Sequence, residues 1–243
     1  MRKVVQHAWV KIVAGMALFT IELIIILALF LTCIVVFLWL SAQIRQGDEM
    51  YFDQAAFAYL DRLATPVMTA FMVFMSFLGS ASFISGAAIA LIVYFLFVKR
   101  HRWFSLKVPV IAVGSISLNL VTKFFFDRPR PVLPHLVEAS GLSFPSGHSM
   151  VSASFYGLII YLIWHNIEKP WLRNLLIALC TVIILLVGVS RVYLHVHYAT
   201  DVMAGFSAGF LWVILAVYGL RRLERYSRRN IAPVVEEAAT TVE

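Results

Sequence analysis

Long apolar runs dominate the pattern of hydrophobic and polar positions along this chain. An α-helix rises about 1.5 Å per residue and the core of a bilayer is about 30 Å thick, so an apolar run of roughly 17 to 25 residues predicts a membrane-spanning helix. Five runs predict such spans: residues 18–40, 108–126, 150–164, 175–189 and 198–220. The pattern therefore predicts a helical membrane protein.

A further apolar stretch, residues 67–98, is too long for one straight crossing and needs a break. Gly79 and Ser80 supply that break, because such residues end one helix and begin the next. We expect an interfacial or re-entrant helix over residues 66–78 and a sixth span over residues 83–98.

Thr65 and Pro66 mark the start of the shorter helix, since threonine is a favoured N-cap residue and proline suits the first turn. The predicted fold class is all-α: a polytopic membrane protein with six transmembrane helices plus an interfacial or re-entrant helix. We expect residues 1–230 to form a single domain and residues 231–243 to form a short disordered tail.

Lysine and arginine are concentrated on one side of these spans. They occur near the N-terminus, in the connections 99–107 and 169–173, and after the last span. By the positive-inside rule this side faces the cytoplasm, so both termini are expected to be cytoplasmic. The segments 41–65, 127–147 and 191–199 then lie outside. Short loops and a simple topology favour the cytoplasmic (inner) membrane of a bacterium.

Composition agrees with this assignment and narrows the partners. The chain is 61% hydrophobic and 14% charged, with a mean hydropathy of +0.87, which excludes an ordinary soluble domain. The net charge is +7, but the basic residues lie in short connections, so the bilayer and not nucleic acid is the expected partner. Cys33 and Cys180 lie in apolar runs and are expected to pack in the core. The sequence indicates no oligomeric state.

Three polar clusters interrupt the apolar chain, and all three are expected at the outer ends of spans. The first cluster contains Lys123, Arg128, Pro129, Arg130 and Pro131. Its prolines stiffen the turn that carries the guanidinium groups. Taken alone, such cations are equally consistent with contact to anionic lipid head groups.

The second cluster, Pro145-Ser146-Gly147-His148, directly precedes the fourth span. Amides in the first turn of a helix have no intrahelical acceptor and carry the positive end of the helix dipole, so they suit an anion. Gly147 allows close backbone approach to an oxyanion, Ser146 can cap or donate, and His148 can pass a proton to a leaving oxygen. The alternative is a simple helix cap followed by an interfacial histidine.

The third cluster, residues 190–201, contains Arg191, His195, His197 and Asp201. His197 and Asp201 are four residues apart, which places them on one face of a helix. Asp201 can then accept the proton of one ring nitrogen and leave the other nitrogen of His197 as a nucleophile. The alternative is a buried polar pair that joins two helices.

A metal site is a third interpretation. His148, His195, His197 and Asp201 offer nitrogen and oxygen ligands. The same region carries four positive side chains: Lys123, Arg128, Arg130 and Arg191. These cations favour an anionic guest, and we expect no metal and no other cofactor.

In order and spacing the clusters resemble the signature of the type 2 phosphatidic acid phosphatase superfamily: Lys-x6-Arg-Pro, then Pro-Ser-Gly-His, then Ser-Arg-x5-His-x3-Asp. Every signature position is matched between Lys123 and Asp201. The resemblance implies metal-independent catalysis, in which His197 attacks phosphorus to form a phosphohistidine, His148 protonates the departing oxygen and Asp201 orients His197. It also implies five phosphate-binding residues: Lys123, Arg130, Ser146, Gly147 and Arg191.

The resemblance further implies hydrolysis of a lipid phosphomonoester or diphosphate. Candidate substrates are undecaprenyl diphosphate, phosphatidylglycerophosphate, phosphatidate and diacylglycerol pyrophosphate. An outward-facing site favours the first, because that carrier is recycled at the outer face. The alternatives are a lipid A phosphatase or phosphotransferase of the same superfamily, and a non-catalytic transporter or scaffold that binds lipid phosphate.

Two charged residues lie outside the signature. Arg128 is expected either to widen the positive field for a diphosphate or to face head groups. Glu22 lies within the first span, where an ionisable residue is a functional candidate. It is placed toward the cytoplasmic half, away from the polar clusters, so we expect it to help helix packing.

Overall fold

The computed structural model describes the backbone of residues 2–45 and 51–231 and the side chains of residues 24–45 and 51–230. Over these ranges the chain forms eight α-helices: α1 (Arg2–Arg45), α2 (Tyr51–Asp61), α3 (Pro66–Leu78), α4 (Ala81–Val93), α5 (Arg102–Phe126), α6 (Gly147–Asn166), α7 (Pro170–Tyr193) and α8 (Ala199–Tyr226). Short π-helical turns follow α4 and α8. The side chain of Glu22 and the predicted tail beyond Ile231 lie outside the described residues.

Six segments of the described chain are long and apolar enough to cross a membrane: Ile24–Arg45, Ala81–Val98, Arg102–Phe126, Gly147–Asn166, Pro170–Tyr193 and Ala199–Asn230. This confirms the predicted all-α, six-span fold. Several helices extend beyond the predicted apolar runs, because helical hydrogen bonding continues through polar terminal turns that hydropathy does not detect.

The start of α3 and the break after it follow the sequence prediction. Thr65 caps α3 by accepting a hydrogen bond from the amide three residues further on at 3.2 Å, and Pro66 occupies the first turn. Gly79 ends α3, and Ser80 begins α4 by accepting a hydrogen bond from the amide of Phe83 at 3.2 Å. Local capping therefore divides the long apolar stretch into two helices.

α3 packs beside the last turns of α7 and runs in the opposite direction. Near the start of α3, the hydroxyls of Thr69 and Tyr193 are 2.8 Å apart. At its end, a Cβ on Gly79 would overlap the side chain of Val187. Between these two contacts the position on α7 moves six residues toward its N-terminus, which is about 9 Å of helix. α3 therefore lies antiparallel along the last turns of α7.

The sequence pattern does not predict α2, which lies in a region assigned to a connecting segment. This helix is short, and its apolar positions are interrupted by acidic residues at Asp53 and Asp61. Asp53 and Phe57 are buried, whereas Tyr51 and Phe52 are exposed. α2 packs against α7 and α8, at the end of the bundle that carries the polar clusters.

α6 lies at the centre of the bundle, against α4, α5, α7 and α8. Two glycines of α8 face it closely: a Cβ on Gly205 would lie 2.6 Å from the carbonyl oxygen of Ser146, and a Cβ on Gly209 would overlap the carbonyl of Met150. Small residues allow helix backbones to approach within a bilayer. This contact holds the start of α8 against the start of α6.

Candidate active site

The three polar clusters meet at one end of the bundle. The amide of Ser146, at the start of α6, donates a hydrogen bond to the carbonyl of Asp201 in α8 at 3.0 Å. The guanidinium of Arg130 donates to the carbonyl of Val196 at 2.6 Å. These two bonds join residues from all three clusters in one site.

His197 and Asp201 form a pair, with only 2% and 0% of their surfaces exposed. Nδ1 of His197 lies 3.5 Å from Oδ2 of Asp201. The predicted arrangement on one helical face is wrong, because α8 begins at Ala199 and His197 lies in the preceding loop. Oδ2 of Asp201 also accepts a hydrogen bond from the amide of Tyr198 at 3.0 Å. The carboxylate therefore caps α8 and faces His197 at once.

The loop that carries His197 is held from both sides. The amides of Val196 and His197 each donate to the carbonyl of Arg191 at 3.2 Å. The ring of His195 lies 2.7 Å from a carboxylate oxygen of Asp61 in α2. This contact turns His195 toward α2. Among the described residues, no three His, Cys, Asp or Glu side chains lie close enough together to bind a metal ion.

Ser143 determines which nitrogen of His197 carries the ring proton. Its hydroxyl donates a short hydrogen bond to Oδ2 of Asp201 and lies 3.4 Å from Nδ1 of His197. Since the single hydroxyl proton is directed at the carboxylate, Nδ1 faces two acceptors and carries the proton. Nε2 keeps its lone pair. Sequence reasoning missed Ser143, because an isolated loop serine carries no signal of its own.

The pKa of His197 is lowered to about 4, chiefly by burial. The positive charges of Arg191 and Arg130 also lower it, while the hydrogen bond and negative charge of Asp201 act in the opposite direction. The ring is therefore neutral at neutral pH, which is the state a nucleophile requires. Nε2 lies 3.4 Å from Nη1 of Arg130, so its lone pair faces the basic side of the site.

Main-chain carbonyl groups of one loop hold Lys123 and Arg130. Nζ of Lys123 donates to the carbonyl of Leu142 at 2.8 Å. Arg130 donates to the carbonyls of Ser140 and Gly141 at 2.8 and 3.0 Å. Carbonyls position a cation without neutralising it, and within the described part of the chain neither side chain forms a salt bridge with a carboxylate. Both positive charges remain available to an anion.

Arg191, in the last turn of α7, is 5% exposed. Its Nη1 donates a short hydrogen bond to the hydroxyl of Ser76 on α3. Its Nε is buried and has no acceptor among the described residues. An unsatisfied buried donor costs about 1–3 kcal/mol, so an oxyanion that accepts from Nε would be stabilised. The sequence pattern does not single out Ser76, which lies in an apolar helix.

The Pro-Ser-Gly-His segment forms the start of α6. Oγ of Ser146 accepts hydrogen bonds from the amide and the hydroxyl of Ser149 at 3.4 and 2.9 Å. A Cβ on Gly147 would lie 2.9 Å from Oδ1 of Asn119 on α5, so the absence of a side chain at this position lets Asn119 approach the start of α6. The part-buried His148 interacts electrostatically with four side chains of the site: Arg191, His197, Lys123 and Arg130.

Arg128 has neither of the two predicted roles. Its side chain is 10% exposed, so it does not face head groups. Nη1 donates to Oδ1 of Asp201 at 2.6 Å and Nη2 to Oδ2 of Asp53 at 3.2 Å. Its charge lies between two carboxylates and is not available to a diphosphate. Asp53 was missed from the sequence, although an acidic residue within a short apolar segment was the available signal.

Comparison with known proteins gives the family. Residues 104–225 match the family model described as the PAP2 superfamily. The chain belongs to the PAP2 superfamily. It is 33% identical over 196 residues to phosphatidylglycerophosphatase B of Bacillus subtilis (strain 168), an alignment that covers 79% of this chain and 95% of that protein. It is 27% identical over 159 residues to a protein of Escherichia coli (strain K12) provisionally named undecaprenyl-diphosphatase YbjG, covering 63% of this chain and 76% of that one.

A solved PAP2 structure shares the fold. The crystal structure of a transmembrane PAP2 type phosphatidylglycerolphosphate phosphatase from Bacillus subtilis superimposes with a TM-score of 0.71 at 30% identity, and covers 81% of this chain and 98% of that chain. The family resemblance seen in the sequence is thereby confirmed, and the chain is a membrane PAP2 lipid phosphatase. This favours an enzyme over the transporter or scaffold alternative.

Proposed function

We propose that this PAP2 enzyme hydrolyses a phosphomonoester or diphosphate lipid through a phosphohistidine on His197, without a metal ion. The observation that carries the proposal is the environment of this imidazole, whose Nδ1 faces Asp201 and whose Nε2 faces Arg130. Lys123 and Arg191 add two further positive charges near the same point. Preorganised cations of this kind stabilise the charge on phosphoryl oxygens during transfer.

In the first step, Nε2 of His197 attacks phosphorus. The N–P bond forms as the P–O bond to the lipid breaks, and His148 donates a proton to the departing oxygen. Asp201 stabilises the positive charge on the ring through the Nδ1 proton. In the second step water attacks phosphorus, His148 accepts a proton from that water, and the N–P bond breaks. Inorganic phosphate and the neutral imidazole result.

The proposed substrates are undecaprenyl diphosphate, phosphatidylglycerophosphate and phosphatidate. One relative is named for phosphatidylglycerophosphate and the other for undecaprenyl diphosphate, which supports testing both. The same chemistry serves both classes, because only the terminal phosphoryl group has to reach His197. The leaving group is a lipid alkoxide from a monoester and a lipid phosphate from a diphosphate.

We propose that residues 1–230 work as one domain. The family match begins at residue 104, yet two earlier helices contact residues within the matched region. Asp53 of α2 bonds to Arg128, and Ser76 of α3 bonds to Arg191. Contacts of this kind support a single functional unit.

We also propose a bacterial inner-membrane location, with both termini cytoplasmic and the site on the opposite face. The distribution of Lys and Arg between the two ends of the bundle supports this orientation. Val132, near the site, is 99% exposed, and Arg229 is exposed at the other end. A membrane-impermeant maleimide should label Val132→Cys but not Arg229→Cys in intact spheroplasts, while Cys33 and Cys180 are buried. The reverse labelling would contradict the proposed orientation.

The test of the reaction is phosphate release by purified protein in detergent with EDTA. The three proposed lipids and diacylglycerol pyrophosphate are supplied in turn to wild type and to His197→Ala. Wild type is expected to release phosphate and His197→Ala to release none. His165→Ala, which removes an exposed imidazole at the other end of α6, is the matched control and should retain wild-type activity.

Product analysis separates the remaining alternatives. Inorganic phosphate with dephosphorylated lipid supports the hydrolase. Transfer of the phosphoryl group to a second lipid would identify a phosphotransferase. If lipid A is added to the panel, its preferred cleavage would identify a lipid A phosphatase. No release from any lipid by folded wild type would contradict the proposed function.

A further inference from the structure

Asp53 is a buried carboxylate that the proposed reaction does not use directly. It is 2% exposed and lies on α2, outside the region of the family match. It accepts hydrogen bonds from the amide and the hydroxyl of Thr200 at 2.9 and 2.8 Å, and from Nη2 of Arg128 at 3.2 Å. A carboxylate is costly to bury unless it is paired and hydrogen-bonded, so this complete set of partners indicates a defined role.

Arg128 links Asp53 to the catalytic pair. Its Nη1 lies 2.6 Å from Oδ1 of Asp201, and its guanidinium carbon lies 3.9 Å from the centre of the Tyr198 ring. A planar fork that spans two carboxylates and stacks on an aromatic ring has a fixed orientation. Because Arg128 engages Oδ1 of Asp201, Oδ2 is left to Ser143, the Tyr198 amide and the imidazole.

We propose that Asp53 is a positioning residue for the PAP2 reaction, which acts by holding one edge of Arg128 and so keeping Oδ2 of Asp201 directed at Nδ1 of His197. The proposal rests on the proposed role of His197 as nucleophile. A guanidinium with a single carboxylate partner favours a two-bond pair with it. Without the charge on Asp53, Arg128 takes both oxygens of Asp201 and draws Oδ2 away from the ring.

The net charge of Asp53, Arg128 and Asp201 supports the same role for Asp53. Two carboxylates and one guanidinium leave one net negative charge, and this charge stabilises the ring when His197 becomes positive during phosphoryl transfer. Asp53→Asn removes that net charge. Both effects weaken the transition state, whereas Lys123 and Arg191, the proposed phosphate-binding residues, make no bond to Asp53.

The experiment compares steady-state kinetics of wild type, Asp53→Asn and Glu168→Gln on the best lipid substrate. Asp53→Asn should lower kcat by about tenfold to a hundredfold, as loss of a group that orients a histidine does in other sites. KM and the inhibition constant of inorganic phosphate should stay within about threefold of wild type. Glu168→Gln is matched in charge and removes an exposed carboxylate in the connection between α6 and α7, at the opposite end of the bundle. It should retain wild-type kcat.

A double variant tests whether Asp53 acts through Arg128. Arg128→Gln alone leaves two buried carboxylates without a cation and should have the lowest kcat of these variants. Asp53→Asn/Arg128→Gln restores one net negative charge and should be more active than Arg128→Gln alone. If the fold-losses of kcat in Asp53→Asn and Arg128→Gln simply multiply in the double variant, the positioning role is overturned.

Folding and chemistry are separated by two further comparisons. If the neutral variants do not elute as folded protein, Arg128→Lys keeps the charge but lacks the fork, and it should show the same loss of kcat at unchanged KM. Wild-type kcat in Arg128→Lys or Asp53→Asn, or an equal loss in Glu168→Gln, would overturn the inference while leaving the phosphatase intact. Inactive wild type would instead contradict the proposed function.

Discussion

Nδ1 of His197 lies 3.5 Å from Oδ2 of Asp201, with the hydroxyl of Ser143 in reach of both atoms. This separation is longer than a strong hydrogen bond. Catalytic hydrogen bonds often tighten only when substrate binds. The ring proton is already on Nδ1 and the lone pair on Nε2. Substrate binding therefore has to shorten one contact and does not have to change the tautomer.

The first prediction concerns the pH dependence of kcat/KM. In the proposed reaction only the neutral imidazole of His197 attacks phosphorus, and its pKa lies at about 4, below the usual 6.5. The ring therefore stays neutral as the pH falls below 6.5 and loses its lone pair only on passing the lower value. Initial rates between about pH 3.5 and pH 8 should give an acid limb near pH 4. An acid limb centred near 6.5 would contradict the burial effect on His197.

Acid also weakens the fold, and a control separates the two effects. The unfolded chain takes up a proton on His197 near its usual pKa of 6.5, whereas the folded chain does so only near 4. The fold therefore loses stability as the pH falls across this window. Enzyme held at the acid pH and returned to neutral pH should recover its full rate. If the rate recovers only in part, the unrecovered fraction of the loss at acid pH is due to unfolding.

The second prediction is that His148→Ala accumulates a phosphoenzyme from a diphosphate substrate. A lipid phosphate departs readily without a proton, whereas water needs a base in the second step, so the loss of His148 slows the second step more. Enzyme mixed with terminally ³²P-labelled substrate should carry an acid-labile label, absent from His148→Ala/His197→Ala. Slow turnover of His148→Ala without any label would contradict its role as the base.

The sequence predicts the spans and the clusters because each leaves a local pattern. Apolar runs indicate contact with lipid, and the fixed spacing between polar residues identifies the motifs. The contact between Arg128 and Asp53 leaves no such pattern, because the two residues are 75 positions apart in the chain and each is a single charge. They meet because α2 and the segment after α5 both pack against the start of α8.

The position of His197 could not be predicted for a different reason. The predicted apolar run begins at residue 198 and α8 begins at Ala199, so the two starts nearly agree. Spacing alone cannot distinguish a helical i, i+4 pair from a loop histidine that faces the third residue of a helix. The capping contact between Asp201 and the Tyr198 amide decides the second arrangement.

The third prediction concerns Gly205. In Gly205→Ala the new methyl group would lie 2.6 Å from the carbonyl oxygen of Ser146, a backbone atom. Such overpacking costs about 1–3 kcal/mol, and the shift would separate Ser146 from Asp201. Both the melting temperature in detergent and the rate of phosphate release should fall. Gly219→Ala is the control on the same helix, with nothing within 4 Å, and should be neutral or stabilising. Equal melting temperatures would contradict the close contact of α6 and α8.

The fourth prediction concerns the opposite end of the bundle. Nζ of Lys107 lies 3.1 Å from Oε2 of Glu224, and the two side chains are 1% and 16% exposed. The rings of Phe104 and Tyr161 lie 4.8 and 5.8 Å from the same Nζ. Removing one partner of a buried pair leaves an uncompensated charge, which costs about 3–5 kcal/mol. Glu224→Gln keeps the shape and should clearly lower the melting temperature.

Two comparisons make this prediction specific to the buried charge. Glu168→Gln removes an exposed carboxylate and should leave the melting temperature unchanged. Lys107→Met/Glu224→Gln removes both charges and should recover part of the loss, because neither group is then buried without its partner. Since the pair lies far from His197 along the bundle, kcat of the folded protein should not change in any of these variants. A double variant less stable than Glu224→Gln would show that Lys107 contributes through its ring contacts and not through the ion pair.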